Sequence, residues 1–341
     1  IATGDERFME DCGYEMLFET ARFCASRMEY NKKKDIYEVR DIIGPDEFHI
    51  GVNNNVFTNL IMRWNLLTAH KAYNAFKRRS PRVCGDLRRK IGLKENEVKE
   101  WRAIARKVKK FHINKKKVIE QFDGYFKLKD VDFQEMDENG IPILPEGLGT
   151  TDMGKTQFIK QADVIMLLYM LYEFFPLEEI KANYYYYVRK TAHKSSLSPS
   201  INALMGSRVG DLHRAYHLFN VALRADISNL YGNTGEGAHG ASLGGTYQAL
   251  IFGFAGLNIT EKRLFLNPRM PRTWEKLIFS FFWKGRLFRF EVANDLVKIK
   301  LKSGRKGKFY VTVFNKNYVI EDTRTHAFSK GGKQPGIEFY Y

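Results

Sequence analysis

The spacing of apolar residues changes once along this chain, and that change constrains the fold more than any other feature. Down to about Leu257 the apolar residues recur three or four positions apart, which is typical of helices that bury one face. Beyond Pro271 the segments LIFSFFW, RLFRFEV, LVKIKLK and KFYVTVF have strand composition and are separated by KG, ND and SGRKG turns. We therefore expect a mainly helical domain over residues 1–265, a small antiparallel β domain over 266–321 and a polar, poorly ordered tail over 322–341.

Local signals predict where several helices begin. One helix should start near Asn54 and run into the Lys71 region, and a core helix should run from about Gln161 to Phe175. Ser198 followed by Pro199 is a helix-start signal, and Asp211 can cap the helix after that one. The apolar positions of two helices are Phe8, Cys12, Met16, Thr20 and Phe23 at the start of the chain, and Val56, Leu60, Trp64 and Leu67 after Asn54.

The net charge of +16 could indicate a nucleic-acid surface, because basic residues crowd between Lys71 and Lys129. No recognised reader motif accompanies them. The apolar residues Val98, Trp101, Ala105, Val108 and Phe111 recur at helical spacing among the basic ones. That pattern favours an amphipathic surface helix with a solvated basic face, so nucleic-acid binding is not expected.

Neither a membrane segment nor a metal site is predicted. The longest apolar run, Val164 to Phe175, is too short to span a bilayer and contains Glu173, and no signal-type segment opens the chain. The three cysteines, Cys12, Cys24 and Cys84, form no CxxC pair, so no disulfide framework is expected and a reducing cytoplasm is the default. Ile1 is not an initiator methionine, and we expect an N-terminally truncated fragment.

A turn-forming segment with two carboxylates precedes the helix predicted near Asn54. Gly44 and Pro45 favour a turn that presents Asp46 and Glu47 from a loop held by a rigid element. A general acid needs such a placement, but a solvated surface pair or a helix N-terminal charge would give the same pattern.

Two later segments could contact a ligand, which for the first of them would be an anion. In the segment TAHKSSLSP, Ser195 and Ser196 precede the predicted start of a helix, whose free N–H groups favour negative charge. Simple capping by Ser198 is the alternative, although it leaves these two serines unexplained. In the glycine-rich stretch 234–245, small residues around His239 and Gly240 permit close approach to a ligand or, equally, tight helix packing.

Lys160 and Gln161 stand at the start of the predicted core helix. Their side chains could hydrogen-bond several sugar hydroxyls, although solvent exposure is the more common fate of such a pair.

Taken in order along the chain, a series of segments resembles the motif series of glycoside hydrolase family 65. These segments are GPDEFH with NNNVFTN, QFDGYFKLKDVD, KQADV, HKSSLSPS and EGAHGASLGGTYQ. The resemblance runs from about Arg7 to Trp274, and LFLNPRMPRTWEKLIF resembles the entry into that family's C-terminal β domain. It implies an (α/α)6-barrel catalytic domain, truncated here at its N-terminal side. It also implies an inverting disaccharide phosphorylase of the glycosyltransferase type, acting on maltose, kojibiose or glucosylglycerol; a minority of the family are hydrolases.

The resemblance assigns roles to individual residues. Glu47 would be the general acid, and Lys160 and Gln161 would hold the donor glucose. Phosphate, as co-substrate and nucleophile, would be bound by Ser195, Ser196, His239 and the backbone at Gly240. No other cofactor and no metal are implied. The expected partners are a small α-glucoside and phosphate, with a homodimer as the candidate assembly.

One position departs from the family pattern. Where many glucose-accepting members have a glutamate before the serine-rich loop, this chain has Val188, which leaves room for a non-glucose acceptor such as glycerol. Two other functions stay open. A phosphate-independent hydrolase would need a base carboxylate, for which Glu236 is the candidate, and a non-catalytic carbohydrate-binding remnant would need neither.

Overall fold

The computed structural model describes residues 2–147, 149–321, 323–331 and 336–337. The chain divides into two compact units, a helical unit formed by Glu6–His193 and a mixed unit formed by Ile1–Asp5 and Lys194–Tyr341.

The helical unit is built mostly from helices. Its elements are α1 (Glu6–Phe8), α2 (Tyr14–Arg27), β1 (Glu29–Asn31), β2 (Ile36–Glu38), α3 (Val56–Arg79), α4 (Pro81–Ile91), α5 (Glu95–Lys107), α6 (Thr150–Met153), α7 (Val164–Met170) and α8 (Leu177–Tyr187). A π-helical turn joins α1 to α2, and 3-10 turns lie at Tyr125–Lys127 and Tyr172–Phe174. The core helix predicted over 161–175 is therefore a shorter α-helix followed by a 3-10 turn.

The core of the helical unit lies among α2, α3 and α5. Tyr14 stacks on Phe76 with ring centroids 4.0 Å apart, and Phe18 and Trp101 are fully buried beside them. Burial of one such side chain is worth about 1.5–3 kcal/mol. This core fixes α3, and with it the loop that leads into α3 from β2.

The buried faces of two helices differ from the stripes marked in the sequence. Phe8, Met16 and Phe23 are more than half exposed, while α2 buries Tyr14, Phe18, Ala21 and Cys24. On α3, Val56 is buried as the first residue, but Trp64 is 43% exposed, and the buried stripe continues through Leu66, Ala69, Tyr73 and Phe76.

The basic helix predicted near residue 100 is confirmed as α5, which buries Val98, Trp101 and Ala105 but ends at Lys107, before Val108 and Phe111. Its neighbours Lys77 and Arg88 both pair with Glu95, at 2.5 and 3.2 Å. The basic residues of this region thus lie on an exposed face and are partly paired with acids.

Within its described residues, the mixed unit contains three α-helices, a π-helical segment at Ala249–Phe254 and two sheets. Its elements are α9 (Ser198–Val209), α10 (Leu212–Arg224), α11 (Gly240–Gln248), β3 (Leu257–Ile259), β4 (Arg263–Leu266), β5 (Leu277–Trp283), β6 (Arg286–Val292), β7 (Leu296–Gly304), β8 (Phe309–Val313), β9 (Lys316–Ile320), β10 (Thr325–Ser329) and β11 (Gly336–Ile337). Asp211 accepts a hydrogen bond from the backbone N of Arg214, at 3.3 Å, so the predicted cap of α10 is confirmed. Pro199 lies in the first turn of α9, as predicted, but capping by Ser198 is wrong: Ser198 is the first helical residue, and the N-cap position is Leu197, which makes no side-chain cap hydrogen bond.

The strands form a five-stranded sheet, β11-β10-β7-β6-β5, and a four-stranded sheet, β3-β4-β8-β9, whose apolar faces share one core. Rings from the two sheets meet there: Phe288 of β6 and Phe309 of β8 have centroids 4.8 Å apart.

The expectation of a purely antiparallel β domain is corrected in the four-stranded sheet. The five-stranded sheet is antiparallel throughout, but β4 and β8 pair in parallel, with Leu264 opposite Val311. The reason is topological: β5, β6 and β7 lie in the other sheet, so the chain crosses over and returns to β4 in the same direction.

Part of the expected tail is ordered. Thr325–Ser329 form β10, which pairs with β7 and buries Phe328 in the core; residue 322 and most of 332–341 lie outside the described residues. The prediction of a poorly ordered tail is therefore wrong for residues 325–329, which form this strand. The (α/α)6 barrel and the domain boundaries of the sequence analysis stay predictions.

Candidate active site

Glu47 lies at the tip of a closed loop between β2 and α3. Ile42 and Val52 exchange two backbone hydrogen bonds of 3.0 Å, which brings the two ends of the loop together. At the foot of α3, the Asn55 side chain accepts from the backbone N of Thr58 at 2.9 Å and caps the helix. The loop is therefore held at both ends by backbone structure.

The two carboxylates of this loop point in opposite directions. Asp46 is 1% exposed, whereas the Glu47 side chain is 54% exposed. One oxygen of Asp46 accepts from the backbone N atoms of Phe48 (3.2 Å) and Lys160 (2.8 Å). The other oxygen accepts from Gln121 Nε2 (2.9 Å) and His49 Nδ1 (2.5 Å). Asp46 therefore anchors the loop, and Glu47 alone is available to a ligand.

Glu47 forms an ion pair with the Nζ of Lys160. The hydrogen bond from Lys160 lowers the pKa of Glu47, and burial opposes this effect only in part; a hydrogen bond from Gln161 lowers it further. The structure thus brings together three of the residues predicted to form the site. Glu47 also borders an open depression that is lined by Phe48, Ile50, Val52, Phe122 and Lys155 among others.

Below the loop, Gly44 approaches two buried polar side chains. A Cβ atom at Gly44 would lie 2.6 Å from Asn55 Nδ2 and 2.8 Å from Asp163 Oδ2, which is closer than van der Waals contact permits. Asn55 donates to that same oxygen of Asp163 at 2.8 Å. Burial raises the pKa of Asp163 from 3.8 to about 8, so its carboxyl group is mostly neutral at pH 7.

The acceptor candidate Val188 lies at the carboxyl end of α8 and is 6% exposed. The neighbouring Lys190 is buried and bonded to Asp130, to Asp132 (2.8 Å) and to the carbonyl of Val131 (2.8 Å). Its charge is therefore already satisfied.

In the mixed unit, the serine-rich and glycine-rich loops are hydrogen-bonded to each other. Ser242 Oγ donates to the carbonyl of Ser196 at 2.8 Å. Tyr231 donates to the carbonyl of Ser195 at 3.4 Å, and its ring lies 6.3 Å from that of His239. The residues predicted to bind phosphate in this unit thus belong to one neighbourhood.

Asp226 holds His239 and was not singled out in the sequence. Its carboxylate accepts from His239 Nδ1 at 2.5 Å and from the backbone N of His239 at 2.9 Å. The first of these bonds lowers the pKa of Asp226. No local pattern marks a carboxylate that follows α10 and lies thirteen residues before its partner.

Two glycines of α11 have different surroundings. A Cβ atom at Gly245 would lie 2.3 Å from Ser200 Oγ, so this glycine permits close packing of α11 on α9. A Cβ atom at Gly240 would meet nothing within 4 Å. Glu236, the candidate hydrolytic base, is exposed on a 3-10 turn.

Enzymes that cleave glycosides use a carboxylic acid to protonate the leaving oxygen, and Glu47 is the exposed carboxyl group of this loop that could do so. The model of the glycosyl hydrolase family 65 central catalytic domain matches residues 1–248, and that of the family's C-terminal domain matches residues 257–320. The chain therefore belongs to glycosyl hydrolase family 65.

Two similar curated proteins are kojibiose phosphorylases. That of Caldanaerobacter subterraneus subsp. tengcongensis is 45% identical over 306 residues, which are 89% of this chain and 40% of the relative. That of Thermoanaerobacter brockii is 43% identical over 321 residues, 94% of this chain and 41% of the relative. The chain thus spans about two-fifths of the length of these relatives.

A solved structure whose title proposes a kojibiose phosphorylase from the human microbiome superposes with a TM-score of 0.84. It is 29% identical to this chain, and the match covers 96% of this chain and 44% of the solved one.

Among the described residues, no helix is long and apolar enough to cross a bilayer. The same part of the chain contains no cluster of three His, Cys, Asp or Glu side chains placed to hold a metal.

Proposed function

We propose that this chain carries the general acid and the phosphate-binding loops of an inverting α-glucoside phosphorylase whose substrate is kojibiose. The observation that carries the proposal is the arrangement at Glu47: one exposed carboxyl group, ion-paired with Lys160 and held over a buried Asp46. The similarity to two kojibiose phosphorylases supports the choice of substrate.

In this mechanism, Glu47 gives its proton to the glycosidic oxygen as the bond from C1 to that oxygen breaks. A phosphate oxygen forms the new bond to C1 from the opposite face, and the products are β-glucose 1-phosphate and the free acceptor. Phosphate brings its own negative charge, so donors rather than a base carboxylate are needed on its side. Ser195, Ser196 and His239 supply hydroxyl and ring N–H groups of this kind.

Lys160 has two roles in the cycle that we propose. Before substrate binds, it keeps Glu47 ionised by lowering the pKa of that carboxyl group. Glu47 can act as an acid only when it is protonated, so Lys160 must release it and the carboxylate must take up a proton from solvent before the bond is cleaved. The hydroxyl groups of the donor glucose are the acceptors that would draw Lys160 away.

The test is product formation by the full-length protein from kojibiose with and without inorganic phosphate. We expect β-glucose 1-phosphate, identified by its anomeric NMR signal, only when phosphate is present. Glu47→Gln should lower the rate by about 10² to 10⁴-fold, because an amide cannot donate the proton. Release of free glucose without phosphate would instead establish the hydrolase, with Glu236 as the first base to replace. No cleavage of kojibiose in either buffer, together with no reaction of glucose or glycerol with β-glucose 1-phosphate, would support a carbohydrate-binding remnant.

Val188 favours a second candidate, a phosphorylase with a small polyol such as glycerol as its acceptor. An apolar valine makes no demand on sugar hydroxyls, whereas a buried glutamate would be left unsatisfied by the wrong acceptor. The two candidates predict opposite results in the reverse reaction from β-glucose 1-phosphate. The kojibiose enzyme should prefer glucose, and the polyol enzyme should use glycerol at least as well.

If Val188 contacts the acceptor, Val188→Glu should shift the ratio of kcat/KM values toward glucose, while Val188→Ile should not. Lys190 is already bonded to Asp130 and Asp132, so it is not free to neutralise the new carboxylate. Because the site is buried, each variant is first compared with the wild type by thermal unfolding. A wild type with strong preference for glucose that Val188→Glu leaves unchanged would place Val188 outside the acceptor pocket.

A further inference from the structure

Asp46 and His49 form a buried hydrogen-bonded pair directly below the candidate acid. The His49 side chain is 2% exposed and that of Asp46 is fully buried. His49 Nε2 lies 2.9 Å from the carbonyl oxygen of Thr156, which can only accept, so this nitrogen carries a hydrogen. His49 Nδ1 lies 2.5 Å from a carboxyl oxygen of Asp46. Each ring nitrogen of His49 is therefore bonded to an oxygen atom.

One oxygen atom of Asp46 joins the two backbones on which the acid and its lysine stand. It accepts from the N–H of Phe48, the residue after Glu47, and from the N–H of Lys160. The spacing between the Glu47 and Lys160 main chains therefore depends in part on this carboxylate. The side chains of Glu47 and Lys160 meet above it as an ion pair.

His49 ties the same two segments together a second time. Its ring links Asp46 to Thr156, which lies on the segment that leads to Lys160. The ring packs against Phe122 and Tyr125, with centroids 4.9 and 5.9 Å away, so it has little freedom to turn. Gln121 supplies the remaining donor to Asp46 at 2.9 Å.

We propose that Asp46 and His49 are positioning residues that hold Glu47 where its proton reaches the leaving oxygen and where Lys160 can engage and release it. The inference rests on the proposed role of Glu47 as the acid. A loss of this alignment lowers the rate because a displacement of about 1 Å can cost about 10²-fold. Misalignment of Glu47 should lower the rate only for substrates whose leaving group needs a proton.

The experiment compares two replacements of His49 in the full-length protein. The amide nitrogen of Asn takes the position of Nδ1, and that of Gln takes the position of Nε2. His49→Asn therefore keeps the bond to Asp46, whereas His49→Gln keeps the bond to Thr156 and removes a donor from Asp46. His70, which donates Nδ1 to the carbonyl of Val98 at 2.9 Å, provides the control variant His70→Asn.

Each variant is assayed with kojibiose and with 4-nitrophenyl α-glucoside, whose leaving group needs little protonation. We expect His49→Gln to lose about 10²-fold in kcat/KM on kojibiose and much less on the nitrophenyl substrate. His49→Asn should retain more activity on kojibiose than His49→Gln, and His70→Asn should match the wild type on both substrates.

Equal losses on the two substrates, or equal losses for the Asn and Gln variants, would overturn the positioning role, since general damage to the fold does not discriminate between leaving groups. If neither His49 variant folds, Gln121→Met removes the other donor from the same oxygen and should give a smaller selective loss on kojibiose. Equal losses on the two substrates, or no loss, in Gln121→Met would also overturn the proposal.

Glu47→Gln is assayed in parallel. If it shows no selective loss on kojibiose, the acid assignment itself fails, and the positioning role fails with it.

Discussion

At the residue scale, two adjacent carboxylates in one loop meet opposite environments. The sequence presents Asp46 and Glu47 as a pair on a turn, and nothing local distinguishes them. The partners that bury Asp46 are Gln121 and the backbone of Lys160, which lie 75 and 114 residues further along the chain. The turn could therefore be predicted, and the choice of Glu47 as the acid came from the family resemblance, but the buried anchor depends on tertiary contacts.

Lys160→Met should raise the pKa of Glu47, because the hydrogen bond from Lys160 is the main cause of its lowering. A general acid is active while protonated, so kcat/KM falls as the pH rises through the pKa of Glu47 in the free enzyme. The alkaline limb of the profile should therefore move to higher pH in this variant, although the absolute rate drops with the loss of a donor contact.

The control for that profile is Lys155→Met. Lys155 lines the same depression but pairs with Asp152 at 2.9 Å, and it is not among the causes of the shift at Glu47. Any effect of phosphate ionisation is common to both variants. An alkaline limb that stays in place in Lys160→Met would show that Glu47 is not the group that titrates there.

Asp226→Asn should raise the KM for phosphate by about tenfold, if His239 binds phosphate as proposed. The carboxylate orients the ring through Nδ1 and makes a charge-assisted bond, which is about twice as strong as the neutral bond that an amide would make. The KM for the glucoside should change less. Asp211→Asn at the other end of α10 makes the same chemical change without touching His239, and it should leave the KM for phosphate unchanged. Equal changes in the two KM values would remove Asp226 from the phosphate site.

At the element scale, predictions of helix starts succeeded where neighbouring residues determine them. Predictions of the buried face failed where a helix has two apolar faces that could each be buried. The cap at Asp211 and the proline in the first turn of α9 each require only neighbouring residues, and both are confirmed. The helix α2 carries two apolar stripes, and its burial of Phe18 rather than Met16 is decided by packing against α3 and α5. Likewise β10 exists because β7 offers it a partner, which the polar composition of that segment does not show.

Helix α11 provides a matched pair of glycines that tests its packing. A methyl group at Gly245 would come within 2.3 Å of Ser200 Oγ on α9, so Gly245→Ala should lower the free energy of unfolding by about 1–3 kcal/mol. At the adjacent Gly244 a methyl group meets nothing within 4 Å, and Gly244→Ala should stabilise the helix by about 0.5–1 kcal/mol. Denaturant unfolding of both variants measures the difference. Equal effects would mean that α11 and α9 do not pack this closely in solution.

At the scale of the whole molecule, ionisation of one buried carboxyl group should make stability depend on pH. Asp163 is completely buried beside Asn55, Gly44 and Asp46, and one of its oxygens has no hydrogen-bond partner within the part of the chain that the structure describes. Burial raises its pKa from 3.8 to about 8, and the nearby charge of Asp46 adds to the rise. The folded protein therefore keeps a proton here that the unfolded chain releases.

The sign follows from proton linkage. Between about pH 4 and pH 8 the folded state binds more protons at Asp163 than the unfolded state does, so this residue lowers the free energy of unfolding as the pH rises. The slope is at most about 1.4 kcal/mol per pH unit for one proton. Below this window the carboxyl group is neutral in both states, and above it the group is ionised in both.

Asp163→Asn removes this titration and retains a neutral side chain of nearly the same shape. The difference in unfolding temperature, variant minus wild type, should be smallest near pH 4, increase up to about pH 8 and then level off. Asp152→Asn is the control: Asp152 is partly exposed, and Lys155 lowers its pKa, so its own titration lies below the window and its difference should be flat from pH 5 to 8. A constant difference for Asp163→Asn across the same range would mean that Asp163 is ionised in the folded protein, which would require a cation or a donor beside its unpartnered oxygen.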